Sequence, residues 1–259
     1  MKKYIKDLHI TAVEHPAKDY LLLRLTDPTA PLPPVEPGQF VEIAVDGAQG
    51  VLLRRPISIN YVDSQSRELW LLVHQVGSGT RALGKLRPGD TLNIIFPLGR
   101  GFALPEKGRQ TFLLVGGGVG TAPLLYYGSR LRELGHTPIF LLGGRSEKDL
   151  LQRQHFEAIG QTCYTTEDGS LGEKGFVTAH TIWQTAHVDR VATCGPKPMM
   201  VAVARMAAER HLPCQASLEN LMACGLGACL CCVEKTQEGH LCVCKEGPVF
   251  DTDRLLWLN

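Results

Sequence analysis

The chain has 259 residues, 44% of them hydrophobic and 20% charged, with a formal net charge of +1 at pH 7. That composition is ordinary for a soluble globular protein, long enough for two modest domains and an appendage, and it carries no basic block of the kind that binds nucleic acid. No apolar run approaches the roughly 20 residues of a membrane span, the start Met1–Asp7 has positive charge without the apolar core of a secretory signal, and nine cysteines suit a reducing cytoplasm.

Residues 1–101 hold short β-branched or leucine-rich runs at Tyr20–Leu25, Gln39–Val45, Ile57–Tyr61, Leu69–Gln75 and Thr91–Phe96. Pro31–Pro34, Glu36-Pro37-Gly38, Asp46-Gly47 and Arg87–Asp90 separate them as turns. Many short strands with turns about every ten residues predict a small antiparallel Greek-key β-barrel. Within it, Arg55 and Ser58 of Arg54-Arg55-Pro56-Ile57-Ser58-Ile59 are three apart on one strand. There they can address one pyrophosphate, by charge and by hydrogen bond; a charge on an edge strand is the plainer reading of this stretch alone. Val76-Gly77-Ser78-Gly79-Thr80-Arg81 is a glycine-rich turn entering a short helix through Ala82 and Leu83. Its exposed N–H groups can bind phosphate, although such a stretch by itself is more often an ordinary turn.

The two features in this order resemble the flavin module of the ferredoxin–NADP reductase superfamily. The resemblance implies bound FAD, with Arg55 and Ser58 at the pyrophosphate and flavin edge and Gly79 and Thr80 on the far side of the diphosphate. It also implies that Pro56, Ile57, Leu72, Val73 and His74 lie along the flavin. Ile57 stands where that superfamily often carries a stacking aromatic residue.

The pattern changes near residue 102. Thr111–Val115 reads as a buried parallel strand, followed at once by Gly116-Gly117-Gly118-Val119-Gly120-Thr121 and an amphipathic helix through Leu124, Leu125, Leu131 and Leu134. Strand, glycine turn and helix N-terminus together form the usual cradle for a dinucleotide phosphate. The run is not a strict G-x-G-x-x-G, and a merely tight turn is the alternative. Pro138–Leu142 is a second strand, with Gly143–Ser146 at its C-terminal end, where Arg145 and Ser146 can meet a 2′-phosphate. Asp149–Ile159 reads as a helix, Cys163–Thr166 and Arg190–Cys194 as strands, and Pro196 and Pro198 suit a helix start before Val203 and Met206. Cys194-Gly195-Pro196 resembles the superfamily's nicotinamide turn, which places Cys194, Gly195 and Pro196 beside the nicotinamide; an inert buried thiol is the alternative.

The densest signal comes last. Cys224, Cys229 and Cys232, with Cys242 or Cys244 downstream, give C-x4-C-x2-C…C, the plant-ferredoxin spacing for a [2Fe–2S] cluster. Gly225 and Gly227 permit the loop to wrap such a cluster and turn N–H groups towards it. A structural zinc site usually takes two knuckles of C-x2–4-C, and the second pair here is C-x-C.

Flavin barrel, dinucleotide half and cysteine loop, in that order, resemble the electron-transfer subunits of class 1B dihydroorotate dehydrogenases. The stretches that carry this are Leu53–Ser58, Gly116–Gly120, Glu167-Asp168-Gly169-Ser170-Leu171-Gly172, Cys194–Pro196, Cys224–Cys232 and Cys244–Phe250. The resemblance implies an α/β multidomain fold with an FAD barrel over 1–101, an NAD-binding α/β domain over 102–212 and a [2Fe–2S] subdomain over 213–259. It implies Cys224, Cys229, Cys232 and Cys244 as ligands, Cys231 and Cys242 as bystanders, and Gly116, Gly117, Gly118 and Gly120 at the dinucleotide. It further implies an FMN-containing catalytic subunit as partner in a heterotetramer, oxidation of dihydroorotate to orotate there, and electrons leaving to NAD through the cluster and FAD. A related diaphorase-type subunit of a hydrogenase, sulfide-reducing or bifurcating transhydrogenase complex shares all three modules, and a zinc-knuckle interaction protein is the alternative from another class. The apolar tail Leu255–Leu258 is expected either at the partner interface or packed on its own domain.

Overall fold

The computed structural model of the protein describes residues 2–45, 50–105 and 108–258, so the Asp46-Gly47 turn lies outside it. Six strands, β1 (Tyr4–Glu14), β2 (Tyr20–Thr26), β3 (Phe40–Ile43), β4 (Arg55–Asp63), β5 (Glu68–His74) and β6 (Thr91–Leu98), close an antiparallel barrel in the order β1-β2-β5-β4-β3-β6. The helix α1 (Ser78–Leu83) lies between β5 and β6. Alternation decides which residues fill the barrel: Leu21, Leu23 and Leu25 of β2 join Val41, Ile59, Leu71 and Ile94 inside it. Leu22, on the opposite face, packs instead with Trp70, Leu72, Ala122 and Leu151. The strand β1 escapes the sequence pattern because only Leu8 and Ile10 of its eleven residues are fully buried, with charged or polar neighbours between.

The second layer holds β7 (Thr111–Gly117), α2 (Ala122–Glu133), β8 (Thr137–Gly144), α3 (Arg153–Ile159), β9 (Gln161–Thr166), β10 (Glu173–Lys174), α4 (Ile182–Thr185), β11 (Arg190–Cys194), α5 (Lys197–Glu209) and β12 (Cys214–Ser217). The last segment adds β13 (Val233–Thr236), β14 (Gly239–Cys242), α6 (Val243–Glu246) and β15 (Val249–Asp251). A seven-stranded sheet runs β10-β9-β8-β7-β11-β12-β15, parallel except for the antiparallel edge strand β15. Both its faces are covered, as parallel sheets require. Phe112, Leu114, Phe140 and Leu142 meet Leu124 and Phe156 on one side, while Leu113, Val115, Ile139 and Leu141 meet Val203 and Ala207 on the other. The cysteine loop lies between β12 and β15, so two strands of the dinucleotide sheet hold its ends.

One local expectation needs correction, and one open alternative is decided. The helix expected over Asp149–Ile159 begins only at Arg153, because Leu150 and Leu151 turn inward into separate apolar clusters and Gln152 adopts a left-handed conformation. Of the two places open to the tail, Trp257 takes its own domain. Leu255 and Trp257 are 0% and 6% exposed and pack with Phe40, Leu98, Met200 and Phe250 in the core beneath the cysteine loop.

Candidate functional site

A cavity of about 790 Å³ opens where the C-terminal ends of β7, β8, β9 and β11 face the barrel. Gly117, Gly118, Gly120, Gly143 and Gly144 line it together with Gly195 and Pro196, and His74 faces them from the barrel. Ligands bind at this edge of open α/β sheets because strand ends and helix N-termini both leave unpaired N–H groups there. Close approach explains the glycines: a Cβ on Gly120 would come within 2.4 Å of the Gly195 Cα, so the two turns can touch only without side chains. Of the expected dinucleotide residues, Gly116 stays behind the wall, packed on Thr121 and Leu124. Cys194 is 1% exposed, and burial, with a smaller contribution from Glu219, raises its thiol well above the ordinary value. It is a neutral thiol at the strand end, and its neighbour Gly195 is the residue that reaches the cavity.

On the barrel, Arg55 and Gly79 meet: a Cβ on Gly79 would lie 2.4 Å from Arg55 Nε. The Thr80 hydroxyl donates to the Gly77 carbonyl at 3.2 Å and accepts from its N–H at 3.1 Å, holding the turn shut. Ile57 packs against the barrel core, Val73 points into it, and Leu72 faces the domain interface. These three can meet a ligand chiefly through backbone. His74 stacks on Tyr20 with ring centroids 4.4 Å apart and the planes within 8°.

The sequence reading named Arg145 but missed that the rest of the cavity's charged lining is acidic. Asp19, Asp149, Glu167 and Glu219 face it, against one guanidinium, Arg145, among the described residues. Glu167 and Glu219 follow the C-terminal ends of β9 and β12, and that position was the available signal. Burial raises the Glu219 carboxyl above its ordinary value.

In the cysteine loop the thiols form two pairs. Leu226 N–H donates to Cys224 Sγ at 3.3 Å, and the Cys224 thiol is lowered to about 6: burial opposes this, but the N–H groups of Leu226, Cys229 and Ala228 and the Cys229 thiol outweigh it. Cys244 N–H donates to Cys232 Sγ at 3.3 Å, and burial followed by the neighbouring Cys232 raises the Cys244 thiol. Gly225 at φ 63° and Gly227 at φ 84° supply the left-handed turns that aim these N–H groups at sulfur. Among the described residues no three Cys, His, Asp or Glu side chains converge as a single ion would need. Two thiol pairs suit a two-iron cluster, each iron taking two sulfurs, better than one tetrahedral ion. Cys231 is exposed, while Cys242 lies half-buried on β14 opposite Val233.

A second residue had no sequence signal. Glu42 on β3 is 1% exposed, neither carboxyl oxygen has a hydrogen-bond partner among the described residues, and a Cβ on Gly225 would lie 2.7 Å from its Cγ. Burial pushes its carboxyl up to about 7, with the Arg54 charge opposing and Cys224 adding. Because Glu42 pairs with Pro56 across β3 and β4, the cysteine loop rests one strand away from Arg55–Ser58.

Comparison with known proteins agrees with this geometry. Residues 219–256 match the iron–sulfur cluster binding domain of dihydroorotate dehydrogenase B. The dihydroorotate dehydrogenase B (NAD(+)) electron transfer subunit of Shouchella clausii (strain KSM-K16) is 40% identical over 220 residues, 83% of this chain and 84% of that one. Its counterpart from Caldanaerobacter subterraneus subsp. tengcongensis is 40% identical over 225 residues, 85% of this chain and 87% of that one. Among solved structures, one of an NADH-dependent reduced ferredoxin-NADP oxidoreductase superposes with a TM-score of 0.84 at 28% identity, covering 96% of this chain and 90% of that one. Phthalate dioxygenase reductase shares the fold, with a TM-score of 0.63 at 24% identity over 79% of this chain and 64% of that one. With 40% identity to these relatives over 83–85% of its length, the chain belongs to the family of dihydroorotate dehydrogenase B electron transfer subunits.

Proposed function

We propose that this chain is the electron-transfer subunit of an NAD-linked dihydroorotate dehydrogenase, carrying electrons from an FMN-bearing catalytic subunit through a [2Fe–2S] cluster and FAD to NAD+. The observation that carries the reading is the seat of the cysteine loop on β3, next to the strand of Arg55–Ser58. FAD, when bound, supplies the exchange between single-electron and hydride chemistry, since nicotinamide accepts only hydride and a cluster only one electron.

The chain's own residues place and tune. Cys224, Cys229, Cys232 and Cys244 hold the irons; Arg55, Ser58, Gly79 and Thr80 hold the FAD diphosphate, with Pro56, Ile57, Leu72, Val73 and His74 along the flavin. Gly116–Gly118 and Gly120 shape the dinucleotide turn, and Gly195 and Pro196 border the nicotinamide with the Cys194 thiol buried directly behind them. The four carboxylates of the cavity favour NAD over NADP, because a 2′-phosphate would bring about two further negative charges among them. The modules divide as 1–101, 102–212 and 213–259. Leu221 and Leu230, 85% and 64% exposed on the cysteine loop, form an apolar collar for the catalytic subunit in an assembly of two copies of each. No described helix is long and apolar enough to cross a membrane, and the thiol-rich loop favours the cytoplasm.

The test is co-expression with the FMN-bearing subunit, followed by dihydroorotate-dependent reduction of NAD+ by the co-purified complex. A complex that forms but reduces NAD+ only with other donors refutes the assignment. The 0.84 TM-score to the NADH-dependent reduced ferredoxin-NADP oxidoreductase favours a second reading, a diaphorase subunit of a bifurcating complex. That reading predicts co-purification with a different flavoprotein and no response to dihydroorotate.

A further inference from the structure

Asn60 and Gln152 form a buried amide couple between the barrel and the α/β half. Asn60 lies on β4, two residues beyond Ser58, and its side chain is fully buried. Pairing of β4 with β5 slips at this point, Ile59 facing Leu71 and Tyr61 facing Trp70, so Asn60 is the extra residue of a bulge. Bulges re-aim side chains and recur beside active sites. Here Asn60 Nδ2 donates to the Ala122 carbonyl at 3.0 Å and to Gln152 Oε1 at 3.0 Å, while Gln152 Nε2 donates back to Asn60 Oδ1 at 2.9 Å.

Neither partner lines the dinucleotide cavity itself, but each lies within three residues of one that does. Ala122 opens α2 directly after the glycine turn, and Gln152 follows the segment carrying Arg145 and Asp149. One side chain on the flavin strand therefore ties down two residues that adjoin separate cavity-lining segments.

The surroundings are apolar: Leu22, Trp70 and Leu72 from the barrel pack on Ala122 and Leu151. Apolar contacts alone tolerate sliding, whereas a buried amide pair is satisfied in one register only. Gln152 also holds φ 53° and ψ 29°, a left-handed conformation costly for a side-chain-bearing residue, just before α3 and without capping it. Such strain persists where the surrounding structure over-determines it, and it gathers at functional sites.

We propose that the Asn60–Gln152 couple is a register pin that fixes the flavin strand against the dinucleotide turn and so sets the distance for hydride transfer between nicotinamide and flavin. The proposal rests on the reading above that β4 holds FAD and the cavity holds NAD. Asn60 and Gln152 are positioning residues; neither touches the reacting atoms. A misplacement of about 1 Å can cost on the order of a hundredfold in rate, so a modest loosening of this register has a measurable effect.

The test uses the FAD- and cluster-loaded protein with substitutions N60A, Q152G and the double variant. Q152G matters most, because glycine accepts the left-handed backbone without strain while deleting the amide. Bleaching of flavin absorbance by NADH in a stopped-flow instrument gives the hydride-transfer rate and NADH affinity. Charge-transfer absorbance with redox-inert tetrahydro-NADH reports nicotinamide stacking without turnover, and thermal melts report stability. The expected result is a rate loss of roughly tenfold or more in each single variant, no further loss in the double variant, weaker charge-transfer absorbance, unchanged NADH affinity, and a smaller fall in melting temperature for Q152G than for N60A at a similar loss of rate. An unchanged rate in Q152G, losses that multiply in the double variant, or losses that follow the melting temperature would overturn the proposal. Failure of NADH to bleach the wild-type flavin would instead refute the functional reading, and that shows before any variant is made.

Discussion

The orphaned carboxylate of Glu42 makes a quantitative prediction about pH. In the iron-free chain its carboxyl moves from 4.5 to about 7 on folding, chiefly through burial. A raised carboxyl contributes its stability below pH 4.5, in the protonated form, and that stability is lost as the pH rises through 7. At 1.36 kcal/mol per tenfold change, the difference comes to about 3 kcal/mol well above pH 7, where the folded state must hold an unpaired anion. Substituting E42Q supplies a neutral side chain of similar shape. The variant should melt within a degree or so of the wild type at pH 5, and roughly 6–12 °C higher at pH 9, given about 2–4 °C per kcal/mol for a chain of this size. Differential scanning of both proteins across that range, with the iron removed, is the assay. If E42Q gains nothing at pH 9, Arg54 compensates the Glu42 charge fully; if it gains as much at pH 5, the gain does not come from removing a buried anion.

Three further outcomes are expected. Serine at Cys224, Cys229, Cys232 or Cys244 should abolish most of the visible iron–sulfur absorption, while C231S and C242S keep it; iron and sulfide assays alongside spectra check this. Asp27 is held well below the usual carboxylate range by Lys6 and then by the Thr29 hydroxyl, so D27N should cost about 1–3 kcal/mol at pH 7. That deficit should shrink below pH 3.8, where acid protonates Asp27 in the unfolded chain before the folded one, which urea unfolding at pH 7 and pH 2.5 will show. Trp257 is 6% exposed within its own core; W257A should destabilise the chain by about 3–5 kcal/mol yet leave its mass in complex with the catalytic subunit unchanged by light scattering.

Local chemistry made much of this protein readable in one dimension. A cluster loop needs thiols at fixed spacing and glycines that turn N–H groups onto sulfur, so Cys224–Cys232 announces itself within nine residues. A phosphate turn needs glycine between a buried strand and a helix, and Gly116–Gly120 shows it. The barrel strands show through their alternation, except β1, where only Leu8 and Ile10 are fully buried. The helix start at Arg153 was hidden because nothing in Asp149–Gln152 breaks a helix by composition; a tertiary pull on Leu150 and Leu151 does so.

What the amino-acid order determined by itself is thus the set of short-range devices: thiol spacing, glycine turns, the arginine–serine strand and the alternation of buried leucines. Only the folded chain decided which devices meet. Asn60 and Gln152 are 92 residues apart and become hydrogen-bond partners; Glu42 and Gly225 touch across most of the chain; Trp257 turns inward against Phe40 and Leu98. The physical reason is that backbone conformation and ligand spacing are set by neighbours along the chain, whereas burial of a polar or aromatic side chain depends on surfaces that exist only after the barrel and the sheet have packed.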